Sequence, residues 1–256
     1  MNLSMTGALA ADYHSGAQRA RVVTESWGES NLYCPNCLSP KLTWLEPGYP
    51  ASDYSCPKCE FKYQLKSQHS PIRSSITDGA YAAMMRAYHN DEMPSFYFMQ
   101  YELTTWRVRN LLLVPHFAFP PSAIIKRNPT TPKGRGKPWV GCNFALNRIP
   151  GSARIPVVNE GAISPPSQVR ERYQLVRKQV EGLTVKQRGW RLDVLRVIQS
   201  LGKAEFSTSD VYAFEHELAK LHPENDHVKE KIRQQLQELR DRNLLLHVSR
   251  NCWHLP

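Results

Sequence analysis

The chain has 256 residues, of which 41% are hydrophobic and 10% aromatic, and it carries a formal net charge of +10 at pH 7. This composition excludes a disordered chain, and the length suits two domains better than one. No apolar run is long enough to span a bilayer, and the first residues lack the charged start and apolar core of a signal peptide. We therefore expect a cytoplasmic protein with no membrane partner.

Four cysteines dominate the first part of the chain, after a helix expected at residues 15–28. They form two Cys-Pro-X-Cys pairs separated by eighteen residues, a spacing typical of a four-cysteine zinc site, because two short knuckles let four thiolates converge on one metal. Two disulfides are the alternative, which a cytosolic location disfavours. Protein would fill all four ligand positions, so the predicted Zn²⁺ is structural. Its ligands would be Cys34, Cys37, Cys56 and Cys59.

Residues 60–68 alternate between apolar and polar side chains and are predicted to form a half-buried strand. Gln64 and Lys66 would share one face, and Asp53 lies eleven residues before Gln64. An Asp followed by acid-X-Lys on a strand can bind Mg²⁺ and activate water for phosphodiester cleavage, with the Leu65 carbonyl as a further ligand. Alone the spacing is a weak signal, because Gln64 stands where a carboxylate is expected and an ordinary solvated strand face would look the same.

The middle of the chain is predicted to contain a helix at 76–89, strands at 96–103 and 108–119, and a Pro- and Gly-rich loop at 129–138. From Leu103 to Asn159 the sequence has no Asp or Glu but nine Lys or Arg residues. Such a stretch favours a surface that faces nucleic acid, the alternative being a solvated positive face with no partner. The loop bases are Lys133, Arg135 and Lys137.

After a change of composition at 161–168 the pattern is helical. Helices are expected at 185–201, from a Ser207 cap to about 221, and at 226–241, followed by a short hairpin. Three helices and a hairpin are the order of a winged-helix domain, which we place at 184–256, after a first domain at 1–183. In the third helix the apolar positions should pack inward. Its outer side chains suit DNA bases and phosphates, and so does Arg250 at the hairpin tip, with protein contacts as the alternative. These outer side chains are Lys229, Lys231, Arg233, Gln234 and Gln235.

Over almost its whole length the chain also resembles the DpnI family of methyl-directed restriction endonucleases, within the PD-(D/E)xK nuclease superfamily. The similar runs fall in order at matching intervals, which makes them more specific than any single motif. They are ARVVTESW (20–27), YCPNC (33–37), the ASDYSCPKC region (51–59), LKS (65–67), DGAYAAMM (78–85), WVGCN (139–143), RGW (188–190) and KEKIRQQLQELRD (229–241).

The resemblance implies an α/β (α+β) nuclease core with an embedded zinc site, followed by a winged helix. It implies a type II endonuclease that hydrolyses double-stranded DNA at GATC sites carrying N6-methyladenine, in a bacterial nucleoid. By position it makes Asp53 and Gln64 the Mg²⁺ ligands and Lys66 the catalytic lysine, and it puts Trp139 against the methylated adenines. Without the resemblance, Trp139 would be a core residue at the start of a strand. A single set of catalytic residues is compatible with a monomer.

Gln64 is the departure from the family pattern, which has a glutamate there. An amide oxygen still binds a metal, but one negative charge is lost, so we expect weaker Mg²⁺ binding, with Mn²⁺ as the alternative metal. A methyladenine-specific DNA-binding protein that no longer cuts is therefore the second hypothesis. A zinc-containing transcription regulator that uses only its winged helix is the third.

Overall fold

The computed structural model describes residues 1–46, 52–130 and 138–256, and the described part of the first 180 residues contains two sheets and three helices. In chain order the elements are α1 (Gly16–Asn31), β1 (Thr43–Trp44), β2 (Tyr54–Ser55), β3 (Lys62–Gln68), β4 (Ser75–Ala80), α2 (Tyr81–His89), β5 (Ser95–Glu102), β6 (Arg107–Val114), β7 (Ile124–Lys126), β8 (Gly141–Ala145), β9 (Ile155–Asn159), β10 (Ala162–Ile163) and α3 (Pro166–Val180).

The larger sheet has seven strands in the order β1-β2-β3-β5-β6-β9-β10. Of its described neighbours, only β3 and β5 run parallel. Helix α1 lies against β3, where the hydroxyls of Thr24 and Ser67 are 3.0 Å apart. At Gly28 a Cβ would come within 2.3 Å of the Tyr54 hydroxyl oxygen, so only glycine allows the helix this close to the sheet. The expected helix at 15–28 and the half-buried strand at 60–68 are both confirmed.

The smaller sheet has the order β4-β8-β7 and packs on the larger one through phenylalanine rings. Phe144 of β8 lies 4.7 Å from the Phe96 ring and 6.0 Å from the Phe98 ring, both on β5. Neighbouring strands project paired residues to the same face, and the register pairs Gln64 with Phe96 and Lys66 with Phe98. The smaller sheet therefore covers the face of β3 that carries Gln64 and Lys66.

The C-terminal part begins at α4 (Val185–Ser200) and continues through β11 (Glu205–Ser207), α5 (Thr208–Tyr212), α6 (Glu215–Leu221), α7 (Val228–Asp241), β12 (Leu246–Ser249) and β13 (Cys252–His254). Its sheet has the order β11-β13-β12, which completes a winged helix. The Ser207 cap is confirmed, since its hydroxyl accepts a hydrogen bond from the Asp210 N–H at 3.1 Å. A hydrophobic cluster of its own includes Trp190, Ile232 and Trp253.

Three predicted elements differ from those found. Residues 75–80 form strand β4 rather than the start of a helix, because their backbone groups pair with β8 and this tertiary pairing overrides a helical pattern. The strand predicted at 108–119 ends at Val114, before Pro115, which has no N–H to donate. The helix expected from Ser207 to 221 is broken into α5 and α6 at Phe214, whose ring packs against the domain core.

Contacts between the two parts are both apolar and polar, and Leu192 of α4 is buried in the hydrophobic core of the first part. The Ser122 hydroxyl donates to Asp193 of α4 at 2.7 Å, and Arg188 of α4 forms an ion pair with Asp91. Arg191, which is 1% exposed, donates from α4 to the Gln179 carbonyl at the end of α3. The winged helix is thus held against the first part of the chain. Within the described ranges, no helix is both long and apolar enough to cross a membrane.

Candidate active site

Asp53 lies just before β2, where that strand separates from β3. Its carboxylate accepts a hydrogen bond from the Leu65 N–H at 2.8 Å. Leu65 lies beyond the residues of β3 that pair with β2, so the Asp53 side chain bonds to a part of β3 that β2 does not reach. Burial raises the pKa of the Asp53 carboxyl, while the Leu65 N–H and the charge of Lys66 lower it. The N–H and C=O of one strand residue point to the same edge, so the Leu65 carbonyl faces the Asp53 side of β3. A cation bound there would favour the charged carboxylate.

Gln64 does not lie on a solvated strand face. Its side-chain oxygen is buried and has no hydrogen-bond partner within the described ranges, although a buried polar atom is normally satisfied. An amide carbonyl oxygen is a suitable ligand for a hard cation, and a cation would satisfy it. The Asp53 carboxylate and the Gln64 amide oxygen are thus both oxygen donors of the kind that fits Mg²⁺ or Mn²⁺.

Two further acids lie at this site that the sequence pattern did not reveal. Asp78 of β4 forms an ion pair with Lys66, and its side chain is 2% exposed. Glu25 of α1 raises the pKa of Asp53 by its charge and is itself bonded to Arg21 at 2.8 Å. The only sequence signal for Asp78 was its place in the DGAYAAMM run. Glu60, a carboxylate close in sequence, instead occupies a left-handed turn after the second cysteine knuckle, with φ of 59°.

A cleft of about 470 Å³ opens beside the catalytic candidates. Its lining includes Lys66, Arg73 and polar residues of β3 and β4. Two cations and several hydroxyl or amide groups along one cleft are donors that phosphate oxygens accept from. The lining residues that offer such donors are Lys66, Ser67, Gln68, Arg73, Ser75 and Thr77.

The four predicted zinc ligands converge. The sulfur atoms of Cys34, Cys37, Cys56 and Cys59 all lie within 4.8 Å of one another, as the four ligands of one metal do. Burial raises the pKa of the Cys56 thiol, but hydrogen bonds from the backbone N–H groups of Cys59 and Lys58 outweigh it and bring the pKa to about 7. The cluster can hold a structural metal such as zinc, and its donor set fits that ion.

Helix α3 fixes the cluster to the rest of the first domain. The Arg170 guanidinium donates to the carbonyls of Cys34 at 3.1 Å, Cys37 at 2.9 Å and Ser39 at 3.2 Å. Gln174 of the same helix donates to the Asn36 carbonyl at 3.0 Å. The knuckle therefore rests on the helix that leads into the winged-helix domain.

Trp139 is exposed rather than a core residue, with 45% of its surface accessible. It lies two residues before β8, and its indole packs over Gly141, where a Cβ would come within 2.7 Å of the ring. Thr130 and Trp139 are joined by a 2.9 Å backbone hydrogen bond, which ties the residues on either side of 131–137. Lys133, Arg135 and Lys137 lie outside the described residues. Trp139 is thus free to contact a ligand, and its predicted role stays a prediction.

Helix α7 separates its two faces as predicted, with one exception. Val228, Ile232, Leu236 and Leu239 are buried. Gln235, expected on the outer surface, is 2% exposed and accepts from Arg191 at 2.7 Å, so that expectation was wrong. It faces α4 because its position adjoins the apolar stripe. The predicted DNA contacts that remain on the surface are Lys229, Lys231, Arg233 and Gln234, with Arg250 exposed at the turn between β12 and β13.

Lys229 and Lys231 are engaged by neighbours on the same surface. Lys229 is paired with Glu215 at 3.2 Å, and Lys231 donates to Gln234 at 2.9 Å. These exposed pairs are weak, so the side chains can be redirected to phosphates at little cost.

Comparison with protein families agrees with both halves of the structure. A model described as DpnI, Dam-replacing family, matches residues 1–181, and a model described as DpnI_C, Dam-replacing HTH domain, matches residues 186–254. Membership indicates a methyl-directed DNA endonuclease or a Dam-replacing DNA-binding protein, and the HTH domain indicates DNA as the partner. The chain, with its mixed α/β first domain, its four-cysteine cluster and its winged helix, therefore belongs to the DpnI, Dam-replacing family.

Proposed function

We propose that the protein is a methyl-directed endonuclease that hydrolyses both strands of DNA at GATC sites containing N6-methyladenine. Three observations support the proposal. Asp53 accepts a hydrogen bond from Leu65, the residue between Gln64 and Lys66, and the Gln64 side-chain oxygen is buried with no partner among the described residues. Lys66 lines a cleft that also carries a second cation, Arg73. Asp53 and Gln64 would hold the divalent cation, which stabilises charge that develops at the phosphorus. Lys66 orients the attacking water.

The two domains divide DNA recognition in this proposal. The outer face of α7 enters the major groove, where Arg233 can read guanine and Gln234 adenine, and Arg250 contacts the backbone from the wing. Trp139 supplies the apolar surface that an uncharged N6-methyl group requires, since that group projects into the major groove. A methyl group makes no ion pair, so an exposed aromatic ring is a suitable reader. One chain carries all of these groups, which supports action as a monomer.

A second candidate is a methyladenine-specific DNA-binding protein that does not cut. The observation that favours it is the amide at Gln64, which leaves the metal site with one negative charge fewer than a glutamate would give. This candidate shares the same DNA-binding surfaces and differs only at the metal. The residue at position 64 therefore decides between the two.

The test is cleavage of one GATC-containing plasmid, with and without adenine methylation, in Mg²⁺ and in Mn²⁺. We expect methyl-dependent cutting by the native protein, faster cutting by Gln64→Glu in Mg²⁺, and none by Asp53→Ala. If only Gln64→Glu cuts, the second candidate is correct. No cutting by any of the three proteins, with methyl-dependent binding intact, would refute the nuclease assignment.

A further inference from the structure

The ion pair between Lys66 and Asp78 joins the two sheets at the proposed catalytic site. Asp78 is almost completely buried, with a side-chain exposure of 2%, whereas Lys66 keeps 24% of its side chain accessible. The second carboxylate oxygen of Asp78 is buried and has no hydrogen-bond partner among the described residues. A buried carboxylate is costly unless a cation faces it. The Lys66 ammonium is the cation that compensates the buried charge of Asp78.

The sheet packing brings the two groups together. Lys66 is in register with Phe98, whose ring packs on Phe144 of β8, and β4 runs beside β8 with Asp78 opposite Cys142. Leu65, the residue before Lys66, donates its N–H to the Asp53 carboxylate at 2.8 Å, so this second acid lies against β3 next to Lys66. Lys66 therefore lies between two carboxylates, that of Asp53 beside β3 and that of Asp78 on the smaller sheet.

A lysine has a flexible four-carbon stem, and its ammonium does not define its own position. Reacting groups that move by about 1 Å can lose on the order of 100-fold in rate, so an anchor for this ammonium has a catalytic consequence. The neighbour on the same strand face, Gln64, does not hold the ammonium, because its side-chain oxygen has no hydrogen-bond partner among the described residues. We propose that Asp78 is the positioning residue of Lys66 and holds its ammonium beside the metal edge of β3, an inference that rests on the proposed function.

The first test measures single-turnover cleavage of methylated DNA and, separately, DNA affinity in Ca²⁺. Asp78→Asn should cut about 10- to 100-fold more slowly than the native protein while its Kd stays within about twofold. Asp78→Glu, which keeps the carboxylate, should cut faster than Asp78→Asn, and the exposed Asp12→Asn should match the native protein. Equal rates for Asp78→Asn and the native protein, or for the two Asp78 variants, would overturn the proposal. So would parallel losses of affinity, melting temperature and rate.

A second measurement does not depend on cutting. Acylation of individual lysines by acetic anhydride is followed by mass spectrometry, with exposed Lys186 as the internal reference. Lys66 should react several-fold faster in Asp78→Asn than in the native protein, and at the native rate in Asp12→Asn. Unchanged labelling of Lys66 would show that Asp78 does not hold it. If the native protein never cuts but labelling responds, the nuclease assignment fails while the anchoring of Lys66 stands.

Discussion

Trp139 is the residue for which exposure most changes the interpretation. A large ring with 45% of its surface accessible contributes little to the core, and here it lies over Gly141, which leaves no room for any other side chain. Its position is fixed by packing, while one side of it remains open. This is the arrangement that a rigid reader of a small apolar group requires.

Removal of the Trp139 ring should therefore reduce the discrimination between methylated and unmethylated DNA more than it reduces the affinity for DNA in general. Each methyl group buried against the indole is worth about 0.8 kcal/mol, so loss of one or two such contacts lowers the preference for methylated DNA by roughly 4- to 15-fold. We expect this loss in Trp139→Ala and a smaller one in Trp139→Phe, measured as the ratio of Kd values for methylated and unmethylated duplexes. An unchanged ratio in Trp139→Ala would assign methyl reading to other residues.

For single residues, the sequence predicted which strand face a side chain occupies better than it predicted which groups the side chain contacts. The alternation around Gln64 and Lys66 correctly put both side chains on one strand face, because period-2 alternation is a local property. It could not show that the smaller sheet covers that face and buries the Gln64 oxygen. Asp78 and Glu25 come from a strand and a helix distant in sequence, so only the packing of those elements reveals them.

A helix or strand could be predicted when its own sequence pattern decides its conformation. It could not be predicted when pairing with a strand distant in sequence decides it. Helix α7 was predicted almost completely, because a regular apolar stripe fixes its buried face. Strand β4 was predicted as helix, because an apolar and Ala-rich pattern favours a helix and only pairing with β8 makes the segment extended. The Gln235 error has the same origin, since a buried Arg191 recruits a polar residue to the inner face.

Helix α7 also carries a prediction about DNA binding. Arg233 is exposed on its outer face, and a base-reading arginine is worth about 1–3 kcal/mol. Arg233→Ala should therefore weaken binding to the specific duplex by about 5- to 150-fold. Fluorescence anisotropy would measure this, with the exposed Arg19→Ala of α1 as the matched control. Equal affinities for the two variants would show that α7 does not face DNA.

At the scale of the whole molecule, the cysteine cluster links distant parts of the chain. Its knuckles flank Asp53, and Arg170 and Gln174 of α3 bind its carbonyls. The end of α3 in turn accepts a hydrogen bond from Arg191 of the winged helix. The cluster is thus connected by hydrogen bonds to α3 and, through the end of α3, to the winged helix.

Removal of the metal should therefore affect more than its own loops. A chelator is expected to lower the melting temperature, to increase hydrogen exchange in both β2 and α3, and to abolish cutting, because structural zinc contributes directly to folding free energy. Cys37→Ser should reproduce these effects, whereas Cys252→Ser, outside the cluster, should not. Native exchange in α3 after complete chelation would mean that the helix is held without the metal.

The hydrogen bonds from Arg170 to the cysteine knuckle join two segments that the ribosome makes at different times. The guanidinium reaches carbonyls 131–136 positions earlier in the chain, so the cysteines leave the ribosome well before the helix that clamps them. At roughly 5–20 residues per second, that interval lasts about 7–27 s. During it the nascent chain already contains Asp53, Gln64 and Lys66, but it lacks the clamp and the winged helix. In that interval the cysteine knuckle lacks the three hydrogen bonds that Arg170 makes to it in the finished protein.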